Sequence, residues 1–171
     1  MNKGRFLAAF LGVFALLLVV WEWTKAAGWY TQGLLAGAAI VGPIMHGWVL
    51  QMGARPGDQP VWVHGDRQVQ ASLQFDALSV GVALAITLLA ATPGLTLYRR
   101  AVRLLAGAAL CFAVDVLIVA LFPLLVFYKN AFTDVIGTYL GVIAFVGAPV
   151  IIWFALTFHE LQQVLPPLRP R

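Results

Sequence analysis

The residues best suited to chemistry in this chain are few and scattered. Asp115 is the one acid inside the apolar run LLAGAALCFAVDVLIVALFPLLVFY. At the centre of a membrane a charge costs ~2.5–3.5 kcal/mol even on lenient insertion scales, so an acid there is first a candidate proton relay or ion site. A relay needs a second acid, a histidine or a base at similar depth. The other spanning segments offer hydroxyls, among them Ser79, Thr87, Thr138 and Tyr139, but no second acid, histidine or base. The pattern therefore favours a neutral, hydrogen-bonded Asp115 at a contact between helices, or one whose partner lies in another protein. A small proton-coupled transporter centred on Asp115 is the alternative.

His46, His64 and His159 share no ligand spacing such as i,i+4, and the chain contains no HExxH. Neither a metal nor a cofactor is expected. His159-Glu160 reads as a pair at the edge of a membrane, with the imidazole near the negative end of a helix. Nucleophilic catalysis would need an activated Ser, Cys or Thr beside a base. Ser79, Asp76 and His64 could meet in principle, but no GxSxG elbow is present, and Asp76 suits the N-cap of a helix. Cys111 is the single cysteine and lies in an apolar run, which excludes an intramolecular disulfide. No catalytic residue is assigned, and the chain is read as a non-enzyme.

The elements that would position these residues follow from composition. Of the 171 residues 61% are hydrophobic and 11% charged, whereas soluble domains carry about a quarter charged residues. Such a chain cannot cover itself with charge, and an α-helical integral membrane protein in contact with lipid is expected. Basic residues stand at segment ends rather than on one face, which excludes a nucleic-acid groove. Four stretches approach the ~20 apolar residues of a spanning helix: Phe6 to Trp21, Ala77 to Tyr98, Leu104 to Tyr128 and Val135 to Phe158. Lys3 and Arg5 before an apolar core also suit a signal peptide, but Trp21-Glu22-Trp23 ahead of any cleavage point argues for an uncleaved anchor.

Ala26 to Ala54 contains no charge, yet Gly37, Gly42, Pro43 and Gly47 predict a broken helix. With four crossings and an inside N-terminus, Lys3, Arg5, Arg99, Arg100, Arg103, Arg169 and Arg171 lie inside, against Lys25, Arg55, Arg67 and Lys129 outside. A fifth crossing would reverse that bias, so the positive-inside rule favours four. The expected division is residues 1–25 as a first transmembrane helix, 26–75 as an external cap, and 76–171 as three transmembrane helices with a short tail. Both termini would be cytoplasmic.

Within the cap, QPVWVHGDRQVQASLQF reads as a β-hairpin turning at Gly65-Asp66. Val69, Ala71, Leu73 and Phe75 share one face, and Gln68, Gln70, Ser72 and Gln74 share the other. That regular alternation predicts a half-buried strand, and the polar face is the candidate docking strand for a partner. Gly137 and Gly141 suit close helix packing, within the chain or in a homo-oligomer.

One span, an external segment, a strand running into FDALSVGVALAITLLAATPG, an Arg-rich turn YRRAVR and two further spans together form a layout. That layout resembles the exosortase H-associated membrane protein family. The resemblance covers most of the chain and implies a bacterial inner-membrane accessory of exosortase-based protein sorting, with an exosortase or a sorted surface protein as partner. Exosortases use a Cys, an Arg and a His around such a junction. Here Leu73 to Gly81 contains no cysteine, the third span no arginine, and NAFTDVIG no histidine. The resemblance therefore implies the shape of a site without its reactive groups.

Overall fold

The apolar run behind Lys3 forms helix α1, Lys3–Trp23, in a computed structural model that describes residues 3–52, 60–70, 75–128 and 142–164 and isolated positions between 130 and 139. Lys25 stops it with φ 53°, the left-handed conformation that usually ends a helix on glycine. The chain then turns by 76° into α2, Ala26–His46.

The expected break in α2 is not there: the helix is continuous. Its glycines are contact points. A Cβ on Gly37 would lie 2.8 Å from Val116 Cγ2, and one on Gly42 would lie 2.5 Å from the Trp62 ring. Pro43 falls in the last turn, where few backbone bonds remain to be lost. Gly47, at φ 75°, ends the helix by donating its N–H to Pro43 O at 3.1 Å.

A three-stranded antiparallel sheet follows, in the order β1 (Val49–Gln51), β2 (Val61–His64), β3 (Arg67–Gln70). The expected hairpin is β2–β3, with His64 opposite Arg67 and Trp62 opposite Val69. Strand β1 was not anticipated, because Val49 to Gln51 read as the end of a broken helix; it pairs Leu50 with Trp62. A lone hairpin is marginal in water, and this third strand with the helices behind it supplies the missing support. The strand expected to reach Phe75 ends at Gln70; residues 71–74 lie outside the described residues, and Phe75 opens helix α3, Phe75–Ala91.

After α3 the chain turns at Gly94, φ 83°, and Thr96 caps α4, Leu97–Phe127, by accepting from Arg99 N at 3.4 Å. A π-helical turn, Ile143–Gly147, leads into α5, Ala148–Val164.

The molecule is thus mostly helical with one small sheet. Among the described residues only α4, at 31 residues, is by itself long and apolar enough to cross a membrane; α1 and α2 pass that test only together, as a bent pair. The expectation of four transmembrane helices is corrected accordingly. Helix α3 is cut to 17 residues by the Thr92–Gly94 turn, and α5 also has 17; at 1.5 Å per residue each spans about 26 Å. The main core lies where α2 and the sheet meet the second half of α4, around Leu34, Ala38, Trp48, Trp62 and Val119. Other large apolar side chains face outward, among them Leu7, Leu16 and Val19 of α1, Leu105 and Leu117 of α4 and Ile151 of α5.

Candidate functional site

Gly65 and Asp66 form a two-residue turn in which only the first has positive φ, 58°, the pattern of a type II′ hairpin. In such a hairpin the pair flanking the turn exchanges both hydrogen bonds, and bonded and non-bonded pairs then alternate. His64–Arg67 and Trp62–Val69 are the bonded pairs, so Gln68 and Gln70 occupy the non-bonded ones. Their N–H and C=O groups therefore face away from β2, toward the side of β3 that has no strand beside it among the described residues. Both side chains are exposed, while Val69 packs on the core. Of the four residues expected to form a docking face, Gln68 and Gln70 thus lie together on an open edge; Ser72 and Gln74 lie outside the described residues.

This edge sits on a rigid platform. Trp62, fully buried, projects inward from β2, and its ring meets the edge of His46 at 6.0 Å between centroids. His46 Nε2 lies 2.7 Å from Ala120 O, and Trp48 N donates to His46 Nδ1 at 3.2 Å. A carbonyl can only accept and an amide N–H can only donate, so the ring sits as the neutral Nε2–H tautomer. It fastens the end of α2 to α4 and sets the turn into β1. Trp48 also packs against Phe127 and His64, and the Arg67 guanidinium lies 4.4 Å from the Phe127 ring centroid, within cation–π range. His46 is thus structural. No periodicity in the sequence marks it, because both its partners are backbone groups.

Asp115 is buried, 3% exposed, and accepts a 2.6 Å hydrogen bond from Tyr30 Oη on α2. This is the helix–helix contact expected for it, but with a partner the sequence did not reveal. Tyr30 stands in a segment read as external cap, and only the 76° elbow carries it to α4. Phe112 and Trp21 flank the Tyr30 ring, at 5.7 and 6.3 Å between centroids.

A second polar cluster occupies the opposite end of α4. Arg103 donates to Glu160 at 2.5 Å, joining α4 to α5, and Arg100 donates to Thr92 O at 3.2 Å. Trp153 Nε1 donates to Thr92 Oγ1 at 2.9 Å. Glu160 lies past the apolar run that stops at Phe158, and the Arg103 guanidinium holds its carboxyl below the usual carboxylate range. Glu160, expected to pair with His159, is thus held by Arg103 from another helix.

Ser79 is buried on α3, His64 is exposed with its ring against Trp48, and the side chain of Asp76 lies outside the described atoms. Cys111 is buried and unpaired. Gly137 and Gly141 fall outside the described residues. Among the described residues no group of three or more His, Cys, Asp or Glu could hold a metal ion. No known protein family, curated protein or solved structure matches this chain.

Proposed function

We propose that this chain is a non-enzymatic accessory protein of a bacterial inner membrane, which presents the open edge of β3 to an extended segment of a partner. The observation that carries this reading is the alternation of the hairpin, which turns the backbone groups of Gln68 and Gln70 outward on a strand without an outer neighbour among the described residues. Such an edge accepts a further strand through main-chain hydrogen bonds. The resemblance in layout supplies the system, exosortase-type sorting, with the exosortase or its sorted protein as partner.

Membrane embedding is supported by the outward apolar side chains of α1, α4 and α5, a surface suited to lipid rather than water. Helix α1, which passes the test for a span only with α2 across the elbow, runs about 31 Å over its 21 residues, against ~30 Å for the hydrocarbon layer. Charges stand only near its ends, Lys3 and Arg5 at one and Glu22 and Lys25 at the other. Helix α2 then lies along the outer surface, and the second half of α4 rises out of the membrane to carry the sheet. In this placement Asp115, through Tyr30, sits near the depth of the elbow, where Trp21, Trp23 and Trp29 suit the interface. That depth and the single directional bond favour a structural acid over a proton carrier. Four crossings then require α3 and α5 to act as short spans.

The test uses Gln68→Pro and Gln70→Pro. Each removes an outward N–H and leaves the inner ladder whole, so fold and membrane level should be unchanged. A tagged chain solubilised from its native membrane should recover its partner in stoichiometric amount, and the double variant should lose it. Unchanged partner recovery by the double variant would sink the docking edge. A partner unrelated to protein sorting would sink the system assignment alone.

A further inference from the structure

The elbow between α1 and α2 leaves a groove of about 1110 Å³ against α3. That exceeds the ~300–1,000 Å³ of most small-ligand sites. Its inner walls are apolar, from Leu18 and Val19 on α1 and Val80 on α3, and its mouth carries Trp21, Glu22 and Lys25. Glu22 and Lys25 are three residues apart, yet neither forms an ion pair among the described residues. The Trp21 indole N–H is enclosed and has no partner among the described residues.

Lys25 is the only non-glycine described with positive φ. Glycine or asparagine would hold this conformation with less strain. The lysine also stands at the N-terminus of α2, whose positive dipole end disfavours a cation, and its side chain makes no cap hydrogen bond. An anion between the two would turn that repulsion into attraction. A cation close by would satisfy Glu22.

We infer that this groove holds one diacyl phospholipid with a phosphoethanolamine head. The phosphate lies at Lys25, the ammonium at Glu22, and an acyl chain runs along Leu18, Val19 and Val80. The head alone offers both charges at the separation two neighbouring side chains can reach, and the apolar walls continue inward from it. This site rests on the membrane placement proposed above, since only there does the groove open at the depth where headgroup meets acyl chain.

The full chain, delipidated in detergent, is titrated with phosphatidylethanolamine, phosphatidylcholine and phosphatidylglycerol, and bound lipid is counted by native mass spectrometry. One phosphatidylethanolamine should be retained. Phosphatidylcholine, without an N–H for Glu22, and phosphatidylglycerol, without a cation, should bind about tenfold more weakly, as expected for loss of a charge-assisted hydrogen bond. Glu22→Gln and Lys25→Gly should each lower phosphatidylethanolamine retention by about the same factor. Lys25→Gly suits the positive φ, so it leaves the elbow intact. A Cβ at Gly28, which also lines the groove, meets nothing within 4 Å, so Gly28→Leu should fold and occlude the site.

Equal retention of all three lipids, insensitive to these variants, overturns the site, as does a dimer mass that Gly28→Leu abolishes. Carbonate extraction of native membranes separates this outcome from failure of the placement. A chain released by carbonate loses both proposals; a chain that stays but shows no headgroup preference loses only the lipid.

Discussion

The two ends of α4 are held by opposite means. At the sheet end, Trp62, Trp48, Phe127 and the neutral ring of His46 pack together, and the polar bonds there run to backbone. At the Thr92 end, an ion pair and an arginine–carbonyl bond hold α3, α4 and α5 together. Rings and glycines fix the sheet in one orientation, because a large flat side chain fits only one complementary surface. Ion pairs tolerate a range of geometries. The Tyr30–Asp115 bond lies between these regimes: one acid, matched by a neutral donor where a full ion pair would be costly to bury.

The largest effect that would sharpen this contrast is expected at Trp62. Trp62→Ala removes a fully buried indole and should cost about 3–5 kcal/mol in denaturant unfolding, with loss of strand signal before helix signal. A cost under about 1 kcal/mol would mean the sheet is not fastened by its rings. Gly42→Val comes next: its Cβ would meet the Trp62 ring and lie 3.1 Å from Trp48 O, an overpacking worth about 1–3 kcal/mol. Tyr30→Phe keeps the ring and removes the hydroxyl, so about 1 kcal/mol should be lost, read as a lower thermal midpoint in detergent. Loss of function without any loss of stability in that variant would instead favour Asp115 as a working acid.

The smallest effect belongs to the ion pair. Glu160 has a lowered pKa in the folded chain. Its contribution is therefore present above the ordinary carboxylate range and lost as pH falls through the folded value. Glu160→Gln should lower the thermal midpoint slightly at neutral pH, and the difference from the parent should vanish in acid. A difference that persists in acid would show that geometry rather than charge holds that end, and the contrast between the two ends would dissolve.

Much of this was legible in the chain. Low charge and long apolar runs predicted a helical molecule, since a long uncharged run satisfies its own backbone hydrogen bonds as a helix. The alternation in QPVWVHGDRQVQASLQF predicted the hairpin and its turn but carried the second strand to Phe75, whereas β3 ends at Gln70; Gln68 and Gln70 emerged on its outer edge. The break in α2 was misread. Glycine and proline disfavour an isolated helix, yet Gly37 and Gly42 here admit Val116 and Trp62, and that packing outweighs propensity. Strand β1 was hidden for a related reason: three residues carry no period, and only pairing with β2 makes them a strand.

The candidate site divides in the same way. Sequence by itself determined which residues could act: a lone acid at 115, glutamines on one strand face, and charges confined to segment ends, because residue type and spacing are local properties. Only the tertiary structure decided what those residues meet. The turn by 76° at Lys25 brings Tyr30 to Asp115 across 85 positions of chain and makes Glu22 and Lys25 the mouth of a groove, while a separate turn at Thr92–Gly94 leaves α3 shorter than α4. A bend between helices depends on a single backbone conformation and on the surfaces that then meet, and neither is written in the periodicity of either helix.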